Sequence, residues 1–466
     1  STLVAEHAEE SALGPARDSS RRQPAADEGH AGKMATTPET LRPGEQSDGI
    51  SVERAARNTQ HPSAGQAGVP EILERAMDRF VVRRGEHRTV IAGYPWFLDW
   101  GRDTLICLRG LIAAGRLAES RDILSQFARF EKNGTIPNMI RGNDASNRDT
   151  SDAPLWLFVA LNDLLDAEGG GEFLDADVGG RAMRDVLSSI GRNLLDGTPN
   201  GIAVDPDSGL VFSPSHFTWM DTNHPPGTPR EGYPIEIQAL WHAALELLAR
   251  VDDSGADWSG LREQVRASLA RLFFRPELGY FADCLHAQPG TSAEHAEADD
   301  HLRPNQLFAL TLGAVTEPAQ AEAVLTACEE LLVPGAIRSL ADRPVTFPLP
   351  VRGPSGLLNN PDAPYWGRYE GDEDTRRKPA YHNGTAWTWP FPSYCEALAL
   401  WQGDNARFTA RSLLMSGVHL LNQGCIAQLP EIVDGDAPHT FRGCGAQAWG
   451  VTELYRVLRQ LSPNEP

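Results

Sequence analysis

Asp221 and Glu431 stand out for what surrounds them. Asp221 follows Trp219 and Met220 in SPSHFTWMDTNHPPGTPREGYPIEIQALW, residues 213 to 241. Glu431 lies between Pro430 and Ile432 in IAQLPEIVDGDAPHTFRGCGAQAW, residues 426 to 449. A carboxyl group set against an indole loses hydration and its pKa rises. That suits a general acid, which must stay protonated near neutral pH. Glu231 and Glu236 are rivals on the same stretch, but Glu236 opens a helix, where a carboxylate also complements the helix dipole. Near Glu431, the DGD run of Asp434 and Asp436 is ordinary turn chemistry; Glu431 itself is harder to assign to a turn. Two carboxyl groups on separate long loops, amid Trp, Tyr and Arg, point to a carbohydrate hydrolase.

Three other stretches carry the same mixture of flat rings and charge. GYPWFLDWGRDT, residues 93 to 104, sets Trp96 and Trp100 beside Arg102 and Asp103. Rings of this kind stack on the C–H faces of sugars while charged groups hold hydroxyls. The competing reading makes Asp99 or Asp103 the cap of a helix starting near Thr104, with the aromatics in the core. NRDTSDAPLW, residues 147 to 156, reads as Asp152 capping a helix with Pro at its first position, which leaves the carboxylate free to face a pocket. YHNGTAWTWP, residues 381 to 390, adds His382 and Trp387 as a pocket floor, although a lone His is as readily a satisfied core residue. No serine elbow, dinucleotide-binding glycine run or P-loop competes with these.

Helices must position those loops. In Glu236–Val251 the apolar residues Ile237, Leu240, Trp241, Ala244, Leu247, Leu248 and Val251 fall on one helix face. The same spacing predicts helices near Glu71–Phe80, Thr104–Ala114, Ser120–Phe130, Pro154–Ala167, Arg181–Leu195 and Trp258–Phe273. It predicts others near Asn305–Leu312, Pro318–Leu332, Tyr394–Trp401, Asn405–Leu421 and Ala446–Leu461. A β-like stretch, Phe80–Val82 with Thr89–Ile91, precedes them. Short turns alternate with long loops: Ile91–Asp103, Asn133–Pro154, Asp196–Ile235, Gly335–Trp387 and Gly424–Gly445. Loops of that length inside a compact domain are usually functional, and all could gather at one end of a helical toroid. Residues 1–68, rich in Ala, Ser, Gly, Pro, Glu and Arg without apolar periodicity, read as a disordered tail or linker, with one domain over 69–466. The chain does not begin with Met, which leaves room for residues upstream.

Composition narrows the function classes. Of 466 residues, 42 are Lys or Arg and 63 are Asp or Glu, a formal charge of −21 without a basic stripe, which argues against a nucleic-acid partner. The six cysteines form no CxxC pair and no HExxH run occurs, so no metal is expected, and two carboxyl groups that supply the proton transfers need no other cofactor. Scattered cysteines on apolar helices, with neither a signal pattern nor a run of about 18 apolar residues, fit a reducing cytoplasm and no membrane.

GYPWFLDWGRDT, DAPLW, FTWMDTNHPPGTPREGYPIEIQALW, AYHNGTAW and RGCGAQAWGVTEL, in that order from about residue 85 onward, resemble the C-terminal glucosidase domain of glycogen debranching enzymes. The resemblance implies an all-α fold, an (α/α) six-fold toroid similar to glucoamylase. It implies Asp221 as general acid, Glu431 as the base that activates water, and Arg102 with Asp103 holding the terminal glucose. Trp96, Trp100, Trp219 and Trp387 would be pocket walls. The implied activity is inverting release of single α-1,6-linked glucose stubs from glycogen or branched α-glucan, with the carboxyls roughly 6.5–9.5 Å apart. Two departures stand out: before the acidic turn the family often has Ser-Glu where this chain has Leu429–Pro430–Glu431, and His382–Thr385 reads HNGT for the familiar HQGT. Residues 1–68 match neither the β-rich companion domain of prokaryotic relatives nor the transferase barrel of the large eukaryotic enzymes, so no transfer of maltosyl or maltotriosyl groups is expected. A hydrolase of a small glucoside, trehalose-like or glucosylglycerate-like, and a catalytically silent glucan-binding protein are the alternatives.

Overall fold

The computed structural model describes residues 68–462; the expected tail lies outside them except for Gly68. Thirteen α-helices occur among the described residues. Twelve alternate between two concentric rings, and the order in the chain sets which ring each joins.

The inner ring is α2 (Gly101–Ala113), α4 (Ala153–Glu168), α6 (Ile235–Val251), α8 (Leu307–Thr311), α11 (Phe391–Gln402) and α13 (Ala448–Leu461). Each packs on the next, and α13 packs on α2, so the ring closes. Around it lie α1 (Val69–Met77), α3 (Leu117–Ala128), α5 (Met183–Asp196), α7 (Trp258–Ser268), α9 (Pro318–Cys328) and α12 (Asp404–Val418). The remaining helix, α10 (Lys378–Tyr381), is a single turn within a loop. This is the (α/α) six-fold toroid, and all twelve expected helices are present.

Burial follows the ring. Inner helix α2 is buried all round from Gly101 to Ile112, and α13 over most of its length. Outer helix α5 buries only Met183, Val186, Leu187, Ile190, Gly191 and Leu194, the single stripe of an amphipathic helix. The inner ring also buries charge. Arg456 of α13 donates to both oxygens of Glu396 on α11 at 2.7 Å and to Glu453 at 2.8 Å, while Arg109 of α2 reaches Asp163 on α4 at 2.8 Å. Each guanidinium has carboxylate partners, which offsets the cost of taking charge out of water.

Passage from an inner helix to the next outer one is short, as between α11 and α12 across Gly403 alone. Passage from outer to inner takes a long loop, so the long loops converge on the N-terminal end of the inner ring. The expected list of long loops omitted residues 274–306, which carry short strands at Phe274–Arg275, Tyr280–Phe281, Cys284–His286 and Glu297–Ala298. The expected β-like stretch is an antiparallel hairpin, Val81–Arg84 with His87–Val90. A five-stranded antiparallel sheet ties the last two long loops together, in the order Leu332–Val333, Ala336–Arg338, Ala386–Trp387, Ile432–Val433 and Phe441–Arg442.

Ring closure depends on a small residue. A Cβ at Gly110 of α2 would sit 2.5 Å from the carbonyl oxygen of Thr452 on α13. Gly110→Ala is expected to destabilise the fold by about 1–2 kcal/mol, overpacking outweighing the roughly 1 kcal/mol that Ala gains over Gly in a helix. Thermal unfolding measures this; an unchanged or raised Tm would mean that α2 and α13 do not approach so closely.

Candidate active site

The first turn of α2 and the loops above it meet at one guanidinium. Arg102 is buried and donates from Nη2 to Asp221 Oδ2 at 3.0 Å and from Nη1 to Asp152 Oδ2 at 3.5 Å; its Nε lies 3.7 Å from Asp103 Oδ2. Burial disfavours the charge on Arg102, but Asp152, Asp221 and Asp103 together outweigh it and raise its pKa. Asp103 is pushed up to about 7, chiefly by burial and then, against the pull of Arg102, by Asp221, Glu431 and Asp152. Four carboxyl groups therefore share one field, and near-neighbour like charges cannot all ionise cheaply.

Asp221 keeps its side chain 32% exposed, the most open of the three carboxyls bound to Arg102. Burial raises its pKa, with Arg102 opposing. The expected indole contact takes another form. Trp219 is buried and turns its Nε1 to Asn305 Oδ1 at 2.8 Å, packing edge-on against Trp387, Trp389 and His382. It builds the floor under the site.

Glu431 is 2% exposed. Its Oε1 accepts from the Tyr381 hydroxyl at 2.5 Å and its Oε2 from the backbone N–H of Cys444 at 2.9 Å. Burial pushes its pKa up to about 7, while both donors pull it down and Asp221 pushes it further up. The hairpin around it is tight: Glu431 N donates to Cys444 O at 2.8 Å, and Gly443 has φ +65°. A Cβ on Gly443 would lie 2.3 Å from Glu431 Oε2, so the glycine of the RGCG run makes room for the carboxylate.

Asp152 stands at the N-terminus of α4 but does not cap it. Its Oδ1 accepts from Thr150 Oγ1 at 2.6 Å, and Thr150 Oγ1 takes the Ala153 N–H at 3.2 Å. Pro154 is the second helical residue rather than the first. The helix expected near Thr104 begins at Gly101, with neither Asp99 nor Asp103 capping it. Asp99 instead pairs with Arg84 at 2.5 Å. Of the rivals to Asp221, Glu236 is held in a bidentate pair by Arg230 at 2.5 and 2.6 Å, and Glu231 accepts from Gln288 at 3.2 Å. The turn acids are engaged too, Asp434 by Arg442 at 2.9 Å and Asp436 by the Tyr365 hydroxyl at 2.8 Å.

His382 is buried, stacks on Trp387 with centroids 5.1 Å apart, and shares a hydrogen bond with Thr222 Oγ1 at 3.0 Å. Burial, then the cations Arg303, Arg102 and Arg230, hold its pKa well below the usual histidine value, so it is neutral. Trp387 donates from Nε1 to Tyr381 O at 2.9 Å. Thus Arg102, Asp103, Asp152, Asp221 and Glu431 form one charged group, and Trp219, His382 and Trp387 form one aromatic group beside it. Trp100 is half-buried and Trp96 is 43% exposed. Among the described residues neither makes a ring-to-ring contact, so they stand apart from the aromatic group.

Several residues were missed. Tyr381 opens the YHNGTAWTWP run and was passed over for the histidine beside it. A phenol next to a chemistry-bearing loop was the available signal. The buried set behind Trp219 carried none, because its members come from distant loops: Arg230 bonds Asp283 at 2.6 Å, Asp283 accepts from Asn305 at 2.7 Å, and Arg303 holds Asn383 at 2.8 Å.

The comparisons with known proteins fit this geometry. The profile described as amylo-α-1,6-glucosidase matches residues 75–456. The chain belongs to that family. It is a glycoside hydrolase, and a glycan is its class of substrate. A glycogen debranching enzyme of Saccharomyces cerevisiae is 24% identical over 403 residues, taking in 66% of this chain and 25% of that one. This chain therefore spans about a quarter of that relative's length. Among solved structures, a GH63 mannosylglycerate hydrolase from Thermus thermophilus in complex with glucose superposes with a TM-score of 0.53 at 12% identity, covering 83% of this chain and 99% of that one. A rhamnosidase from Klebsiella oxytoca with rhamnose bound gives a TM-score of 0.51 at 13% identity, covering 85% and 64%. At such identities the likeness is one of fold. Among the described residues no helix is long and apolar enough to cross a membrane.

The Tyr381 hydroxyl stabilises the ionised form of Glu431. A hydrogen bond to a charged group is worth about 1.5–3 kcal/mol, and one pKa unit is about 1.4 kcal/mol. Tyr381→Phe should therefore raise the Glu431 pKa by about 1–2 units. Carboxyl titration by difference infrared spectroscopy, with Glu431→Gln identifying the band, reads this directly; an unmoved or lowered pKa would deny the phenol that role.

Proposed function

We propose that this protein removes single α-1,6-linked glucose stubs from a trimmed branched α-glucan, by hydrolysis with inversion. The observation that carries the reading is the unlike setting of two carboxyl groups. Asp221 is open to solvent on one side, while Glu431 is enclosed and held by two donors, Tyr381 and the Cys444 N–H. The family match and the yeast relative support an α-1,6-linked glucose as the group removed.

In this mechanism protonated Asp221 gives its proton to the glycosidic oxygen as the bond to C1 breaks. A water attacks C1 from the opposite face, and ionised Glu431 takes the water's proton. The glucan leaves with a new hydroxyl, the glucose leaves as the β-anomer, and the two carboxyls have exchanged protonation states. Arg102 and Asp103 bind hydroxyls of the departing glucose, with Asp152 holding Arg102 from behind. Burial, with repulsion among the carboxyls added to it, keeps a proton in the cluster near neutral pH, where an acid catalyst needs one.

Glucose release from phosphorylase limit dextrin, trimmed beforehand by a separate glucanotransferase, tests this. Asp221→Asn and Glu431→Gln should each lose activity by at least about 10²–10⁴-fold, the usual worth of a general acid or base. Proton NMR of the first product should show β-glucose. An α-anomer would overturn inversion, and undiminished variants would mean that other carboxylates act. Release only from trehalose or another small glucoside would move the substrate to that class; binding of dextrin with no release from any glucoside would make the chain a glucan-binding protein.

A further inference from the structure

A cavity of about 380 Å³ lies beside the active-site loops, lined by Asp342, Trp366, Arg368, Glu370, Arg376 and Asp436 among others. Two backbone hydrogen bonds join it to the site. Trp366 N donates to Asn383 O at 2.6 Å, next to His382, and Gly435 N, four residues past Glu431, donates to Gly367 O at 2.6 Å. Tyr369, on the same segment, takes Asp434 Oδ1 on its N–H at 2.8 Å and packs its ring against Tyr381 at 5.4 Å. The groove therefore shares its wall with the strand that follows Glu431 and with the turn that carries His382.

Its chemistry is that of a hydroxyl-rich neutral ligand. Two guanidiniums, Arg368 and Arg376, face three carboxylates, Asp342, Glu370 and Asp436, so neither an anion nor a cation meets a field of one sign. Arg376 lies over the Trp366 ring at 5.7 Å, pairing a planar donor with an aromatic face. Asp342 and Arg376 are exposed along it and offer a ligand an acceptor and a donor in exchange for solvent. The volume falls within the range of small-molecule sites, about 300–1,000 Å³.

We propose that this groove is an accessory subsite for the α-1,4-linked chain that carries the branch, with a sugar ring against Trp366 and its hydroxyls on Asp342 and Arg376. The proposal rests on the α-glucan reading above. It would add contacts to the chain beyond the one glucose that the catalytic pocket takes.

Isothermal titration of maltoheptaose, a linear glucan without an α-1,6 linkage, tests it on the full chain. Trp366→Ala and Asp342→Asn should each weaken binding by about tenfold or more, with Tm compared to that of wild type. Asp342→Asn, a change without loss of volume, keeps the test informative if Trp366→Ala does not fold. Affinity equal to wild type in a folded variant of either kind would overturn the subsite, as would wild type failing to bind maltoheptaose at all. Glucose release from the trimmed dextrin by wild type is measured in parallel. Maltoheptaose binding that depends on Trp366, with no glucose released, would defeat the proposed reaction and leave the subsite standing.

Discussion

Arg102 is the interaction on which the site depends. It is buried in the first turn of an inner helix, and it holds Asp221 and Asp152 by hydrogen bonds with Asp103 alongside. Without a cation there, three acids from three separate parts of the chain would repel one another inside a region largely shielded from water. Their mutual repulsion is also useful. It adds to the burial that lifts Asp103 to about 7 and, through Asp221, to the burial that lifts Glu431 to the same value. A cluster that is short of positive charge retains protons at neutral pH, which is one way to keep a carboxyl group available as an acid. The guanidinium thus sets both where the acids stand and how they titrate.

The toroid makes that arrangement possible by geometry. Every inner helix begins at the same end, so the loops that precede them all deliver residues to one place. Arg102 and Asp103 arrive on α2, Asp152 at the start of α4, Asp221 from the loop before α6, and Glu431 from the loop before α13. The aligned N-termini present unpaired N–H groups and the positive ends of helix dipoles, which favours carboxylates near them. The five-stranded sheet then fixes what the helices alone leave loose, since it pairs Trp387 directly with Ile432, the neighbour of Glu431.

Much of this was legible from residue spacing. The periodicity around Ile237 and Leu240 marks a buried helix face, and the alternation of short turns with long aromatic loops marks the toroid. The charged residues of WGRD, TWMD and LPEI stood out by type. Their pairings did not. Arg102 and Asp221 are far apart in sequence, and no local pattern says which carboxylate a guanidinium will choose. The capping role read for Asp152 failed because Thr150, two residues earlier, serves the helix end and frees Asp152 for Arg102. The loop over 274–306 escaped notice because its strands are only two or three residues long. Trp219 was read as the wall against Asp221, but its indole N–H had a stronger claim elsewhere, on Asn305.

The ring closes between the first and last parts of the described chain, and this bears on how the molecule reaches its native state. Helix α1 packs on α13, where Tyr455 donates to Glu74 at 2.6 Å, and α13 packs on α2. These contacts span nearly the whole domain in sequence, and loop closure over such distances is entropically slow. Hairpins of neighbouring helices can form early, but Glu431 enters its enclosure only when the final hairpin docks against the loop ahead of α2, through Ala446 paired with Tyr94. Hydrolytic competence should therefore be the last property acquired during folding, appearing after most helical structure is already in place.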